Sequence, residues 1–221
     1  MKTWLNLKMR NLLDFLVKIG KLKRKKRRGW LIHQIKNPET TAEHIFRLAI
    51  IVWVIGEKKR LNLEKSIKMA LVHDLCGVYA PDLTPYDPLL PKDQKKIIET
   101  LKRWPKFTPS LKIEAHKKKY RLENRGLDRL ISKLPSKLKS EIKNLWLDYE
   151  KGLTKEGRFV KQADKVENLL QGIEYWKKYG KIQHHLLMRW IKEIIDDPVL
   201  LKFIETLEKN FFENKKSKNS Y

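Results

Sequence analysis

The chain has 221 residues, enough for one domain with a full core, and its 41% of hydrophobic residues can fill that core. Lys and Arg number 50 against 26 Asp and Glu, and the formal net charge of +24 draws anionic partners such as phosphorylated metabolites, nucleic acids or anionic lipid without saying anything about fold. A single cysteine, Cys76, excludes an intrachain disulfide. The longest apolar run, 48–56, falls far short of the ~20 residues of a spanning helix, and the N-terminus lacks a signal-peptide core, so a cytoplasmic protein with no membrane partner is expected.

Read in chain order, almost every segment is helical, with no strand pattern and no internal repeat, so the fold class is all-α. Leu12, Leu13, Phe15, Leu16 and Ile19 form one apolar stripe that ends at Gly20, an expected C-cap. Residues 21–28 include seven basic side chains and are expected to form a loop at a pocket rim. After the Asn37-Pro38-Glu39 turn, Thr40-Thr41-Ala42-Glu43 fits a capping box, which puts His44 in the first turn of a helix whose apolar face is Leu48, Ile51, Val52 and Ile55. A second helix runs from Leu63 to about Cys76 and carries His73-Asp74 among apolar neighbours. Burying those two polar groups costs several kcal/mol unless something binds them, and a divalent cation is the simplest such partner; imidazole and carboxylate suit zinc, manganese, iron, cobalt or nickel.

The stretch 79–91 holds four prolines and cannot be regular helix, so it brings Asp82, Thr84, Tyr86 and Asp87 near that pair as a loop. Residues 92–123 read as lysine-rich helical pieces, Leu127, Leu130, Ile131 and Leu134 as a short stripe, and 138–149 as another. A long helix from Lys155 to about Tyr179 carries Asp164 on its inward side. One or two more helices cover 182–207, and 211–221 is a loose polar tail.

These blocks, in order, resemble the HD-domain phosphohydrolases, and among them the 5'-deoxynucleotidases. The blocks are 22–30, Asn37-Pro38-Glu39-Thr40-Thr41-Ala42-Glu43-His44, Met69-Ala70-Leu71-Val72-His73-Asp74-Leu75, Asp82-Leu83-Thr84-Pro85, and Phe159-Val160-Lys161-Gln162-Ala163-Asp164-Lys165 with the preceding Arg158. The resemblance implies a single HD-domain helical bundle over 1–210 with a metal site between helices, a helical insertion at about 92–118, and a tail at 211–221. It implies that His44, His73, Asp74 and Asp164 hold one divalent cation, with manganese or cobalt expected and magnesium, zinc, iron or nickel as alternatives. It also implies that Arg28, or Arg27, contacts phosphate, that Trp30 lines the pocket near sugar or base, although it can equally be a core aromatic, and that Asp82 stands beside the substrate in a catalytic role. The substrate implied is a nucleoside 5'-monophosphate, and a homodimer is left open.

Two positions depart from the family pattern. The family's glutamate, three residues after the His-Asp pair, is Gly77 here, and the glycine before the aspartate is Pro81. Losing a general acid or base typically costs 10²- to 10⁴-fold, so the alternative is a weakened or silent protein that binds metal and nucleotide. A nucleic-acid-binding protein, the third reading, rests on charge alone; nucleic acid is not the expected partner.

Overall fold

The computed structural model describes residues 2–84 and 108–213 and, between these stretches, residues 87, 90, 91, 93, 96, 97, 99 and 100. The expected Tyr86 contact, part of the expected insertion, including 101–107, and the end of the tail lie outside the described residues. Helices account for the architecture, in the order α1 Lys2–Ile19, α2 Arg28–Ile32, α3 Thr41–Gly56, α4 Leu63–Val72, α5 Pro109–Ile131, α6 Ser136–Lys151, α7 Lys155–Tyr179, α8 His184–Ile194 and α9 Pro198–Glu208. Among the described residues there is no strand, only an isolated antiparallel bridge between Lys26 and Thr40, and no helix is long and apolar enough to cross a membrane.

The long helix α7 is the axis of the bundle, touching α3, α4, α6, α8 and α9. Phe159, Val160, Ala163, Val166, Leu169 and Ile173 lie at helical spacing along it and are buried, meeting Leu48 and Val52 of α3, Met69 of α4 and Trp146 of α6 in one core. Each fully buried large aliphatic side chain contributes roughly 1.5–3 kcal/mol, so this one helix both stabilises the bundle and fixes where its inward polar residues stand. Thr154 caps its start by accepting from the N–H of Gly157 at 3.2 Å.

Several expectations change. Gly20 does not cap α1 in the left-handed conformation; the chain continues into a 3-10 turn, Gly20–Lys23, that buries Leu22. The stripe on α1 is split, because Leu12, Phe15 and Ile19 pack on the core while Leu13 and Leu16 are exposed. The helix expected to run to Cys76 stops at Val72, with His73 as its C-cap and a 3-10 turn over Leu75–Val78. The stripe at 127–134 is no separate element but the end of α5, which Pro109 opens at its first turn. Gly126 lets α5 lie against that 3-10 turn, since a Cβ there would stand 2.8 Å from the Cys76 carbonyl oxygen and 3.0 Å from the Ala80 nitrogen. The tail begins packed, with Phe211 and Phe212 against the core and Phe212 stacked on His184.

Candidate metal centre

The capping box expected at Thr40 is present. The Thr40 hydroxyl accepts from the N–H of Glu43, and the Glu43 carboxylate accepts from the N–H of Thr40. That cap fixes the first turn of α3 and aims His44 inward, where it is fully buried. His73 is equally enclosed at the end of α4, and its Nδ1 lies 2.7 Å from the carbonyl oxygen of Ala70. A carbonyl only accepts, so Nδ1 carries the proton and Nε2 of the neutral ring presents a lone pair. The Nδ1 of His44 is likewise engaged by Glu167, a carboxylate with no exposed surface. Both rings therefore send Nε2 toward the same point, and the two nitrogens stand 3.2 Å apart.

Two carboxylates complete the cluster. Asp164 Oδ1 is 3.2 Å from His44 Nε2, and Asp74 Oδ2 is 3.5 Å from His73 Nε2. One ligand atom each from His44, His73 and Asp164 lies within 4.8 Å of the others. Asp74 stands slightly apart, turned toward Arg27, whose guanidinium donates to it at 2.8 Å. Four acceptors converging in a buried space repel one another unless positive charge lies among them, and imidazole with carboxylate is a donor set for a divalent cation. The residues present fit such an ion.

The ionisation of these groups points the same way. Burial and Arg27 act to lower His44, but its hydrogen bonds to Asp164 and Glu167 outweigh them and raise it to about 9. Burial lowers His73. Burial would raise Asp164, yet Lys165 and the two histidines hold it well below the usual carboxylate range; His73 and Arg27 do the same for Asp74. His44 thus holds a proton against two ionised carboxylates, the positive charge that a divalent cation would replace at the centre of the cluster.

Around the cluster, each remote atom is tied. Asp164 Oδ2 accepts from the Tyr149 hydroxyl at 3.1 Å and from Lys165 at 2.7 Å, while its Oδ1 accepts from Asn168 at 3.0 Å. Asn168 in turn accepts from Arg27 at 2.9 Å. Glu167 also receives Arg47, at 2.8 Å. Glu167 and Asn168 were not singled out in the sequence, though both lie on the face of α7 that carries Asp164, three and four residues on. Such partners hold ligand imidazoles in one tautomer and orientation.

The outer residues are placed differently from one another. Arg27 reaches the cluster, whereas Arg28 points outward, half exposed, and pairs with Asp87 at 2.5 Å. Asp82 accepts the backbone N–H of Arg28, the first residue of the short helix α2, at 2.7 Å. Asp87 is held to Thr84 by its N–H and hydroxyl. Trp30 lies 8% exposed among Ile35, Tyr175 and Ile182, edge-on to Tyr175, with its indole N–H donating to Glu39 at 2.8 Å. It is a core residue, set behind Glu39. Burial and the Glu167 charge raise Glu39 to about 7. Cys76 is buried and burial pushes its thiol well up, which leaves it an unreactive neighbour of the site.

Comparison with known proteins matches residues 19–197 to the HD domain. The 5'-deoxynucleotidase HDDC2 of Xenopus laevis is 32% identical over 177 residues, 79% of this chain and 75% of that protein. Its human counterpart is 32% identical over 166 residues, 75% of this chain and 69% of that protein. A conserved hypothetical protein from Pyrococcus furiosus superposes with a TM-score of 0.64 and 26% identity, over 89% of this chain and 99% of that one.

Proposed function

We propose that this chain, which belongs to the HD domain family, is a metal-dependent phosphomonoesterase that hydrolyses deoxynucleoside 5'-monophosphates to nucleoside and phosphate. The observation that carries the reading is the convergence of the two buried Nε2 atoms, 3.2 Å apart, with the carboxylate of buried Asp164 and that of the partly exposed Asp74 beside them. His44, His73, Asp164 and Asp74 would hold one divalent cation, with manganese or cobalt the first to try. The naming of relatives as 5'-deoxynucleotidases supports the substrate class. The domain takes in 1–210, and the expected place of action is the cytoplasm.

Each residue has a task in this reading. When bound, the cation supplies Lewis acidity toward a phosphoryl oxygen and toward water. Arg27, with one NH group on Asp74 and the other on Asn168, offers its guanidinium to phosphate oxygens, a match in geometry and charge. Arg28 and Asp82 border the entrance, and Asp82 is the carboxylate beside the substrate. Trp30 serves the pocket from behind by fixing Glu39. Lys165 and Lys119, whose side chains are about one-third exposed, add positive charge around the opening and favour an anionic substrate.

The test is a phosphate-release screen over ribo- and deoxynucleoside monophosphates with several divalent metals. Release that needs added metal and disappears in His73→Ala and Asp164→Ala supports the reading; unchanged release in either variant sinks the site. A second reading, a protein that binds metal and nucleotide without turnover, is favoured by Gly77, which carries no acid. It would be supported by metal-dependent nucleotide binding with no phosphate released under any condition of the screen.

A further inference from the structure

The basic run at 21–28 alternates in the structure. Lys21, Lys23, Arg24, Lys26 and Arg28 are exposed, whereas Lys25 and Arg27 turn inward. Arg27 is accounted for by Asp74; Lys25 goes elsewhere. Its ammonium donates to the carbonyl oxygens of Gly77 at 2.7 Å and Ala80 at 2.6 Å. Its own carbonyl accepts from the Thr41 N–H at 2.8 Å. One residue therefore fastens the run both to the first turn of α3, which carries His44, and to the turn that follows His73-Asp74. Two residues beyond Ala80, Asp82 returns the connection by accepting the Arg28 N–H.

Gly77 leaves room for this arrangement. A Cβ at 77 would stand 3.4 Å from the Lys25 Nζ and 3.5 Å from a methyl of Leu22, in ordinary contact with both, so the space beyond a Cβ is already filled and a longer side chain would displace the ammonium. An ammonium has three donors, and hydrogen bonds from a charged donor are roughly twice as strong as neutral ones. Here two of them secure carbonyls in a turn that no helix continues. We infer that Lys25 is a positioning residue for the hydrolysis proposed above, clamping the Gly77–Ala80 turn so that Arg27 stays on Asp74 and Asp82 stays on Arg28, with Gly77 as the matched half that leaves the ammonium its place. The inference rests on that reading for the word hydrolysis, but the clamp itself is independent of it.

The experiment compares Lys25→Met, Lys25→Arg and Gly77→Leu with the unaltered chain. It measures hydrogen exchange by mass spectrometry, manganese affinity by calorimetry, and kcat and KM for 2'-deoxyadenosine 5'-monophosphate. Lys25→Met is expected to raise KM about tenfold and to speed exchange at 77–84 by a similar factor, because small displacements of positioning groups are costly. Manganese affinity should stay within about twofold, since the ligands keep their own partners. Lys25→Arg should recover much of the loss, and Gly77→Leu, whose side chain takes the ammonium's place, should fall between. Unchanged exchange at 77–84 in Lys25→Met would overturn the clamp. So would a general rise in exchange with manganese affinity and KM worsening together, the mark of a merely structural lysine. If the unaltered protein releases no phosphate, the exchange measurement still decides the clamp, and the failure belongs to the nucleotidase reading.

Discussion

The inner and outer parts of the candidate site are built on opposite terms. At the inner end His44, His73 and Asp164 are buried, and each atom not facing the cluster is held by another group, from Glu167 to Ala70 and Tyr149. At the outer end Arg28 is half exposed, Asp82 and Asp87 are bound to partners in the loop and in α2, and Arg27 bridges to the interior. The inner groups have a single arrangement, because moving any of them would strand a buried polar atom. The outer groups can exchange partners with water at small cost. In the function proposed above, affinity for a cation and turnover of a substrate would therefore be separable, controlled from different ends.

Removing a ligand should break the inner end outright. His73→Ala and Asp164→Ala are expected to abolish calorimetric manganese binding and to lower phosphate release by at least about 10³-fold; a variant that still binds manganese tightly would contradict the cluster. Glu167→Gln keeps the shape but replaces the carboxylate on His44. The expected loss is about 10- to 100-fold in manganese affinity, and an affinity equal to wild type would mean that His44 needs no such partner.

Two arginine variants sharpen the contrast between the ends. Arg27→Met should raise KM by about tenfold or more, since it removes a charge-assisted bond in a part-buried place. Arg28→Met should change KM less than about threefold, because its pair with Asp87 is exposed and screened. Equal effects would erase the distinction drawn between neighbouring residues.

The smallest effect lies behind the site and reads in stability alone. Glu123 on α5 is 6% exposed, its Oε2 has no hydrogen-bond partner among the described residues, and burial lifts its carboxyl to about 7 against the pull of Lys119. The folded pKa is above the unfolded value of 4.5, so the stability contribution is complete below about 4.5 and is lost as pH rises through about 7. Glu123→Gln should remove that dependence and stabilise the protein at pH 8 by about 1–2 kcal/mol, the figure being reduced because Lys119 is partly exposed. Urea unfolding of both proteins at pH 5 and pH 8 checks it; a variant that is less stable at pH 8 would show that the carboxylate is needed ionised.

The sequence by itself determined what local physics controls. The period of apolar residues placed α3 and α7, the capping box at Thr40 fixed the start of α3, the helical patterns throughout gave the all-α fold, and the residues of the blocks carried the resemblance to the family. It also placed His44 in a first turn and Asp164 on an inward face. Only the tertiary structure decided which of two adjacent arginines turns inward, that α4 ends before His73, and that Glu167 and Lys25 take part. The contacts that settle those points span 47 residues from Arg27 to Asp74, 123 from His44 to Glu167 and 52 from Lys25 to Gly77. Such pairings follow from how the helices pack around α7. A run of seven basic residues has no period of its own to tell which side chains the packed bundle will draw in.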